Sequence, residues 1–112
     1  MKRVYIAGKL NGDACQYVRN CHDMIVLGNE CRRHGFAVFI PCLDLLSGLV
    51  DGSMTYADYF DNNLPWLEVS DAMLLVPNWL ESKGANAEVQ HAKDLGIPVC
   101  NSVYEVMQAL RD

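Results

Sequence analysis

Residues 72–100 read AMLLVPNWLESKGANAEVQHAKDLGIPVC, and this stretch decides the fold. Ala72 to Val76 is an unbroken apolar run stopped by Pro77, which predicts a strand. Lys83 to Leu95 carries its apolar residues at helical spacing, and Ile97 to Cys100 returns to a short apolar run after Gly96. A strand, a helix and a strand in this order imply two parallel strands joined by a right-handed crossover.

The same alternation continues toward the N-terminus. Val4 to Ala7 is a β-branched and aromatic run closed by Gly8, and Asn11-Gly12-Asp13 supplies turn and capping residues. From Ala14 to His34, Ala14, Val18, Cys21 and Ile25 recur at helical spacing, with Gly35 where a left-handed cap belongs. Phe36 to Ile40 is continuously apolar up to Pro41, the pattern of a strand buried on both faces. Residues 41–54 hold Pro41, Asp44, Ser47, Gly48, Asp51 and Gly52, too many breakers for regular structure, and read either as a lid or as an ordinary surface loop. Thr55 and Asp58 form a capping pair opening a helix that Pro65 should kink or restart, with Asn62 and Asn63 at the break and the end near Val69. Ser102 to Leu110 closes the chain as a helix. The expected fold class is α/β, a flavodoxin-like or Rossmann-like three-layer α/β/α domain over residues 1–112, with a parallel sheet of about four strands. Ligands of such sheets bind beyond the carboxyl ends of the strands, which directs attention to Gly8 to Asp13, residues 41–54, Pro77 to Glu88, and Asn101 to Ser102.

Bulk composition narrows the function classes. A chain of 112 residues fits one domain, and 51% apolar content excludes a disordered one. No apolar run approaches the roughly 20 residues of a membrane span, and Val4 to Gly8 is too short for the core of a secretory signal, so a cytoplasmic location and no membrane partner are expected. Five cysteines, Cys15, Cys21, Cys31, Cys42 and Cys100, form an odd set without Cys-x-x-Cys spacing, and the three histidines are scattered, so they read as core-filling thiols and no metal site is expected. The formal charge of −5 comes without a Lys/Arg stripe, which argues against DNA or RNA as a partner while leaving a small anionic ligand open.

On a helical wheel of residues 83–96, Ala85, Val89, Ala92, Leu95 and Gly96 share one face, and Glu88 lies on it. A carboxylate there is costly unless it is paired or opens onto a ligand cavity. Two readings stand: a functional carboxylate, or one that reaches solvent at the helix start or pairs with Lys9 or Tyr5. Gly84 and Ala85 would let a ligand approach the first turn, and Ser82 could cap the helix or donate to an anion. There is no Gly-x-Gly-x-x-Gly after the first strand and no Walker A pattern, which disfavours a dehydrogenase or an NTPase, and no cofactor is called for. A phosphoacceptor domain would need acidic residues where Ala7, Gly8 and Lys9 stand.

Taken together, Val4-Tyr5-Ile6-Ala7-Gly8, Ser70-Asp71-Ala72-Met73-Leu74-Leu75-Val76, Ser82-Lys83-Gly84-Ala85-Asn86-Ala87-Glu88 and Ala92-Lys93-Asp94-Leu95-Gly96-Ile97-Pro98-Val99 resemble, in order and over most of the chain, the nucleoside 2-deoxyribosyltransferase superfamily. The likeness is to its short, often phage-associated members and to the related hydrolases of deoxynucleoside monophosphates. The resemblance implies a retaining reaction at the N-glycosidic bond of a 2′-deoxynucleoside or its 5′-monophosphate. Glu88 would be the nucleophile and Tyr5 would orient it. Gly8, Lys9, Asn11, Asn63, Ser82, Gly84 and Ala85 would line the substrate site. Ser82 takes the place of the serine that holds phosphate in the hydrolases, and with Lys9 and the helix N-terminus this favours a nucleotide over a free nucleoside. Two positions depart from the pattern. Asn63 falls where the family uses an aspartate on the nucleobase, with Asp61 the candidate to replace it, and Asn11-Gly12 stands where the hydrolases carry an arginine. Asp71 reads as a structural turn residue at the start of a strand. The resemblance also implies a homodimer or larger homo-oligomer, for which Trp66, Trp79 and Leu80 are contact candidates. The alternative function is a non-catalytic module that binds a nucleotide or a nucleotide-derived signal, which the amide at Asn63 favours.

Overall fold

A computed structural model describes residues 1–111. Four parallel strands, β1 (Arg3–Ala7), β2 (Ala37–Phe39), β3 (Ala72–Leu75) and β4 (Val99–Cys100), form one sheet in the order β2-β1-β3-β4. Helices α1 (Ala14–Arg33), α2 (Leu45–Val50), α3 (Tyr56–Glu68), α4 (Lys83–Asp94) and α5 (Val103–Ala109) connect and cover them, giving the three-layer α/β/α architecture. Among the described residues no helix is long and apolar enough to cross a membrane.

Side chains of successive strand residues point to opposite faces, so each central strand feeds two cores. Val4 and Ile6 of β1 and Leu74 of β3 pack with Met24 and Cys31 of α1 and Val103 and Val106 of α5. Tyr5 and Ala7 of β1 and Met73 and Leu75 of β3 pack with Leu67 of α3 and Val89 and Ala92 of α4. Every β1 residue from Val4 to Ala7 is at most 1% exposed, which explains the uniformly apolar run. The sheet order reverses direction at β1, since β2 lies on one side of it and β3 on the other, and this switch point opens a crevice above the ends of β1 and β3.

Local chemistry sets the helix starts. Asp13 and Thr55 each close a capping box, with Gln16 and Asp58 respectively, and Ser82 and Ser102 each accept a bond from the third helical N–H. Gly35 and Gly96 end α1 and α4 with φ of +91° and +74°, the left-handed geometry that disfavours any side chain. Asp71 ties the first central pair together: its carboxylate accepts from the Arg3 N–H at 2.7 Å, and its own N–H donates to the Arg3 carbonyl at 2.8 Å.

Several local expectations are corrected. β2 is a half-buried edge strand and not one buried on both faces, because only β1 pairs with it. Residues 41–50 are helical and not an irregular loop: Pro41 starts a 3-10 turn through Asp44, and α2 follows directly. Its Gly48 is the point where the Tyr59 ring of α3 packs against the short helix. Pro65 does not restart a helix, since α3 runs through it, and Asn62 and Asn63 lie inside that helix. The carbonyl that loses its partner belongs to Asp61, which is exposed and open to hydration. Leu95, expected on the buried face of α4, is 49% exposed where the helix ends, and Cys15, expected in the core, is exposed.

Replacing Asp71 with Ala is expected to destabilise the fold by about 1 kcal/mol, because the Arg3 N–H then loses a charged acceptor at a partly hydrated edge. Urea unfolding should show a lower midpoint with an unchanged slope; an unaltered midpoint would mean that water replaces the carboxylate without cost.

Candidate functional site

Burial of one carboxylate organises the carboxyl end of the sheet. Glu88 stands in the second turn of α4 among Ala85, Val89 and Ala92, and is only 8% exposed. Its Oε2 accepts a hydrogen bond from the hydroxyl of Tyr5, which reaches it from β1 and is itself fully buried. Tyr5 is fixed from behind by stacking: its ring lies 5.3 Å from Phe39, its neighbour across β1 and β2, and Phe39 lies 5.9 Å from Trp66 of α3. Desolvation pushes the Glu88 carboxyl up to about 7, against the opposing pull of the Tyr5 bond. Burial and the adjacent carboxyl together hold the Tyr5 phenol far above its ordinary range, so it remains a donor.

Glu88 opens onto a cavity of about 290 Å³. One side is the end of β1 and the loop after it, with Ile6, Gly8, Leu10 and Asn11. A Cβ at Gly8 would come within 2.7 Å of the Val76 side chain, so glycine is required for β1 and β3 to end side by side here. A second side is the start of α4, with Ser82, Gly84 and Ala85. The Ser82 hydroxyl accepts from the Ala85 N–H at 3.1 Å and so serves as the helix cap. The Tyr56 hydroxyl lies over Gly84, where any Cβ would collide with it. The third side is α3: Tyr56, Tyr59, Phe60 and Asn63 follow the i, i+3, i+4, i+7 spacing of one helix face and all line the cavity. Asp44 and Leu45, at the junction of the 3-10 turn with α2, close the rim, together with Tyr17 and Met24 of α1.

Of the residues singled out from the sequence, Gly8, Asn11, Asn63, Ser82, Gly84, Ala85 and Glu88 border this one cavity, and Tyr5 lies behind Glu88. Lys9 and Asp61 do not border it. Lys9 is held through its backbone N–H, which donates to Asn78 at 2.9 Å. Asp61 is exposed, two residues and roughly 200° around α3 from Asn63. One amide atom of Asn63, Oδ1, is buried without a hydrogen-bond partner. Sequence reasoning missed Tyr17, Tyr56, Tyr59 and Phe60, and marked Asp44 only as part of the segment 41–54. The α3 stripe carried a readable signal in its helical spacing, whereas Asp44 depended on the path of the chain after β2. Among the described residues no group of three or more His, Cys, Asp or Glu side chains could hold a metal ion. Trp66 is 52% exposed and Leu80 is 69% exposed, while Trp79 packs against the core between the sheet, α3 and α4.

Residues 2–101 match the family model described as Domain of unknown function (DUF4406), and the chain belongs to that family. Neither a curated protein nor a solved structure matches it.

Because the folded-state value of Glu88 lies above its unfolded 4.5, the native state holds an extra proton between about pH 4.5 and 7. The Glu88 contribution to stability should be fully present below that window and fall as pH rises through it, by on the order of 1–3 kcal/mol. Chemical denaturation at about pH 5 and pH 8 measures the difference, and Glu88→Gln should flatten it. An equal slope in the variant would assign the dependence to other groups.

Proposed function

We propose that this protein cleaves the N-glycosidic bond of a 2′-deoxynucleoside or its 5′-monophosphate, with Glu88 as the nucleophile. The observation that carries the reading is the Tyr5 hydroxyl bound to one oxygen of a buried Glu88 carboxyl at the wall of a cavity. The sequence resemblance to nucleoside 2-deoxyribosyltransferases supports the same two residues in the same roles.

In the ionised form, Glu88 attacks C1′ of the sugar through Oε1, the oxygen that Tyr5 does not hold. The C1′–N bond breaks as the C1′–O bond forms, and its electron pair leaves with the base, which takes up a proton from solvent. The transition state resembles an oxocarbenium ion, and an anion in a poorly hydrated site stabilises that positive charge strongly. Water, or a ring nitrogen of a second base, then attacks C1′ and releases Glu88, so the configuration at C1′ is retained after two inversions. Water makes the reaction a hydrolysis; a second base makes it a transfer. Tyr5 does not touch the sugar and is a positioning residue. The aromatic side chains on α3 offer faces on which a base can stack.

A second reading, a binding module without turnover, draws support from Asn63. The resemblance places an acid there in catalytic relatives, and an amide cannot protonate a leaving base.

Incubation with a panel of deoxynucleosides and their monophosphates should release free base, read by chromatography. Glu88→Ala should reduce release by at least about a thousandfold. The rate should rise with pH through about 7, since the ionised carboxylate is the reactive form. Tyr5→Phe should lower kcat more than it raises KM, because it disorders the nucleophile and leaves the cavity walls in place. Mass spectrometry of the quenched enzyme should find the sugar on Glu88. Binding without base release from any compound would favour the second reading.

A further inference from the structure

Two thiols that the glycosidic chemistry leaves unused meet at the wall of the cavity opposite α4. Cys42, in the 3-10 turn after β2, lines the cavity and is 4% exposed. Its Sγ donates to the Cys21 carbonyl of α1 at 3.7 Å, and the two thiols lie close enough for one to hydrogen-bond the other. Tyr17, one turn before Cys21 on the same face of α1, also lines the cavity and brings its hydroxyl beside the Cys21 thiol. The pair thus faces across the seam between α1 and the turn that carries Asp44 into α2.

The two partners differ in access. Cys21 is partly exposed, whereas Cys42 is buried in the core cluster with Met24 and Ile40. Burial pushes the Cys42 thiol up to about 12, so it stays protonated and is a poor first nucleophile. An oxidant from solution therefore meets Cys21 first. A sulfenic acid formed there stands beside Cys42, and a thiol already held in place reacts ahead of a second oxidant molecule that must diffuse in. Cys31 and Cys100 share the same core cluster at 0% and 4% exposure, but neither lines the cavity. Cys15 is exposed and serves as the control for surface oxidation.

We propose that Cys21 and Cys42 are a modification site for peroxide, closing to a reversible disulfide that clamps this wall of the cavity. The Cys21 sulfur, as its thiolate, attacks one peroxide oxygen. The O–O bond breaks, and the departing hydroxide combines with the proton lost by Cys21 to give water. The Cys42 sulfur then attacks the sulfenic sulfur, the S–O bond breaks, and the oxygen leaves as a second water with the Cys42 proton. Two thiols lose two electrons, and one peroxide is reduced to two waters. The sulfurs must close to about 2.0 Å, which draws the 3-10 turn toward α1 and fixes the cavity rim at Asp44 and Leu45. A dithiol reductant opens the clamp again. The device acts on the cavity whichever ligand it takes, so it stands apart from the glycosidic reading.

The test treats the reduced, folded chain with stoichiometric hydrogen peroxide and reads the product by mass. The intact mass should fall by about 2 Da, and peptide mapping should join Cys21 to Cys42. Alkylation in denaturant should then reach three of the five cysteines. Amides of residues 41–50 should exchange hydrogen about fivefold more slowly in the oxidised protein, and dithiothreitol should reverse every change. Cys42→Ser should keep added oxygen on Cys21 in place of the bond. Cys21→Ser, at the more exposed position, should form no bond, and Cys15→Ser should form it as the native chain does. Alkylation of all five cysteines after oxidation, or a bond that joins any other pair, overturns the proposal. A Cys21–Cys42 bond that leaves exchange over residues 41–50 unchanged overturns the clamp.

Discussion

The hydrogen bond between Tyr5 and Glu88 is the constraint around which the upper half of the molecule is arranged. A carboxyl group at 8% exposure needs a partner, and none of the aliphatic residues beside it on α4 can provide one. The partner comes from β1, one of the two inner strands of the sheet, so the bond joins a central strand to the helix that packs on it. The stack from Tyr5 through Phe39 to Trp66 packs against the phenol ring whose hydroxyl reaches Glu88. One polar contact thus depends on residues from β1, β2, α3 and α4. Gly8 lets the ends of β1 and β3 lie side by side at one wall of the cavity onto which Glu88 opens.

Much of this was legible in the sequence because its signals are local. The apolar runs of β1 and β3, the caps at Asp13, Thr55 and Ser82, and the left-handed glycine at 35 each act within a few residues, and each appears where the sequence places it. The position of Glu88 on the buried face of α4 was equally local, since it follows from helical spacing alone. What escaped depends on neighbours distant in sequence. β2 looks fully buried by composition, yet it is the edge strand, because strand order is not written in the strand itself. The breakers between Pro41 and Gly52 suggested a loop, but Pro41 is compatible with a first turn and Gly48 is where α3 packs closely. Pro65 was read as a break, yet it stands where the lost bond faces water.

The candidate site divides along the same line. Residues on α4 and after β1 were identified because a single element presents them. Asp61 was a natural substitute for a missing acid, being so near Asn63, but two residues along a helix point to well-separated directions. The acid that does border the cavity, Asp44, arrives from the other side of the crevice and has no sequence relation to α4. Its place is set by the 3-10 turn that carries the chain from the edge strand to α2.

Among the described residues no basic side chain lines the cavity at Glu88, which bears on the ionisation of its carboxyl. A cation close by would lower the carboxyl's proton affinity and keep it ionised across the whole neutral range, but it would also offset the negative potential at the place where a sugar cation develops. A neutral donor does something different. The Tyr5 hydroxyl favours the ionised carboxylate and fixes its orientation, yet it adds no net charge. The consequence is a carboxyl that titrates near 7 and retains a full negative charge once ionised. Chemistry that passes through a positive carbon is helped by such a group.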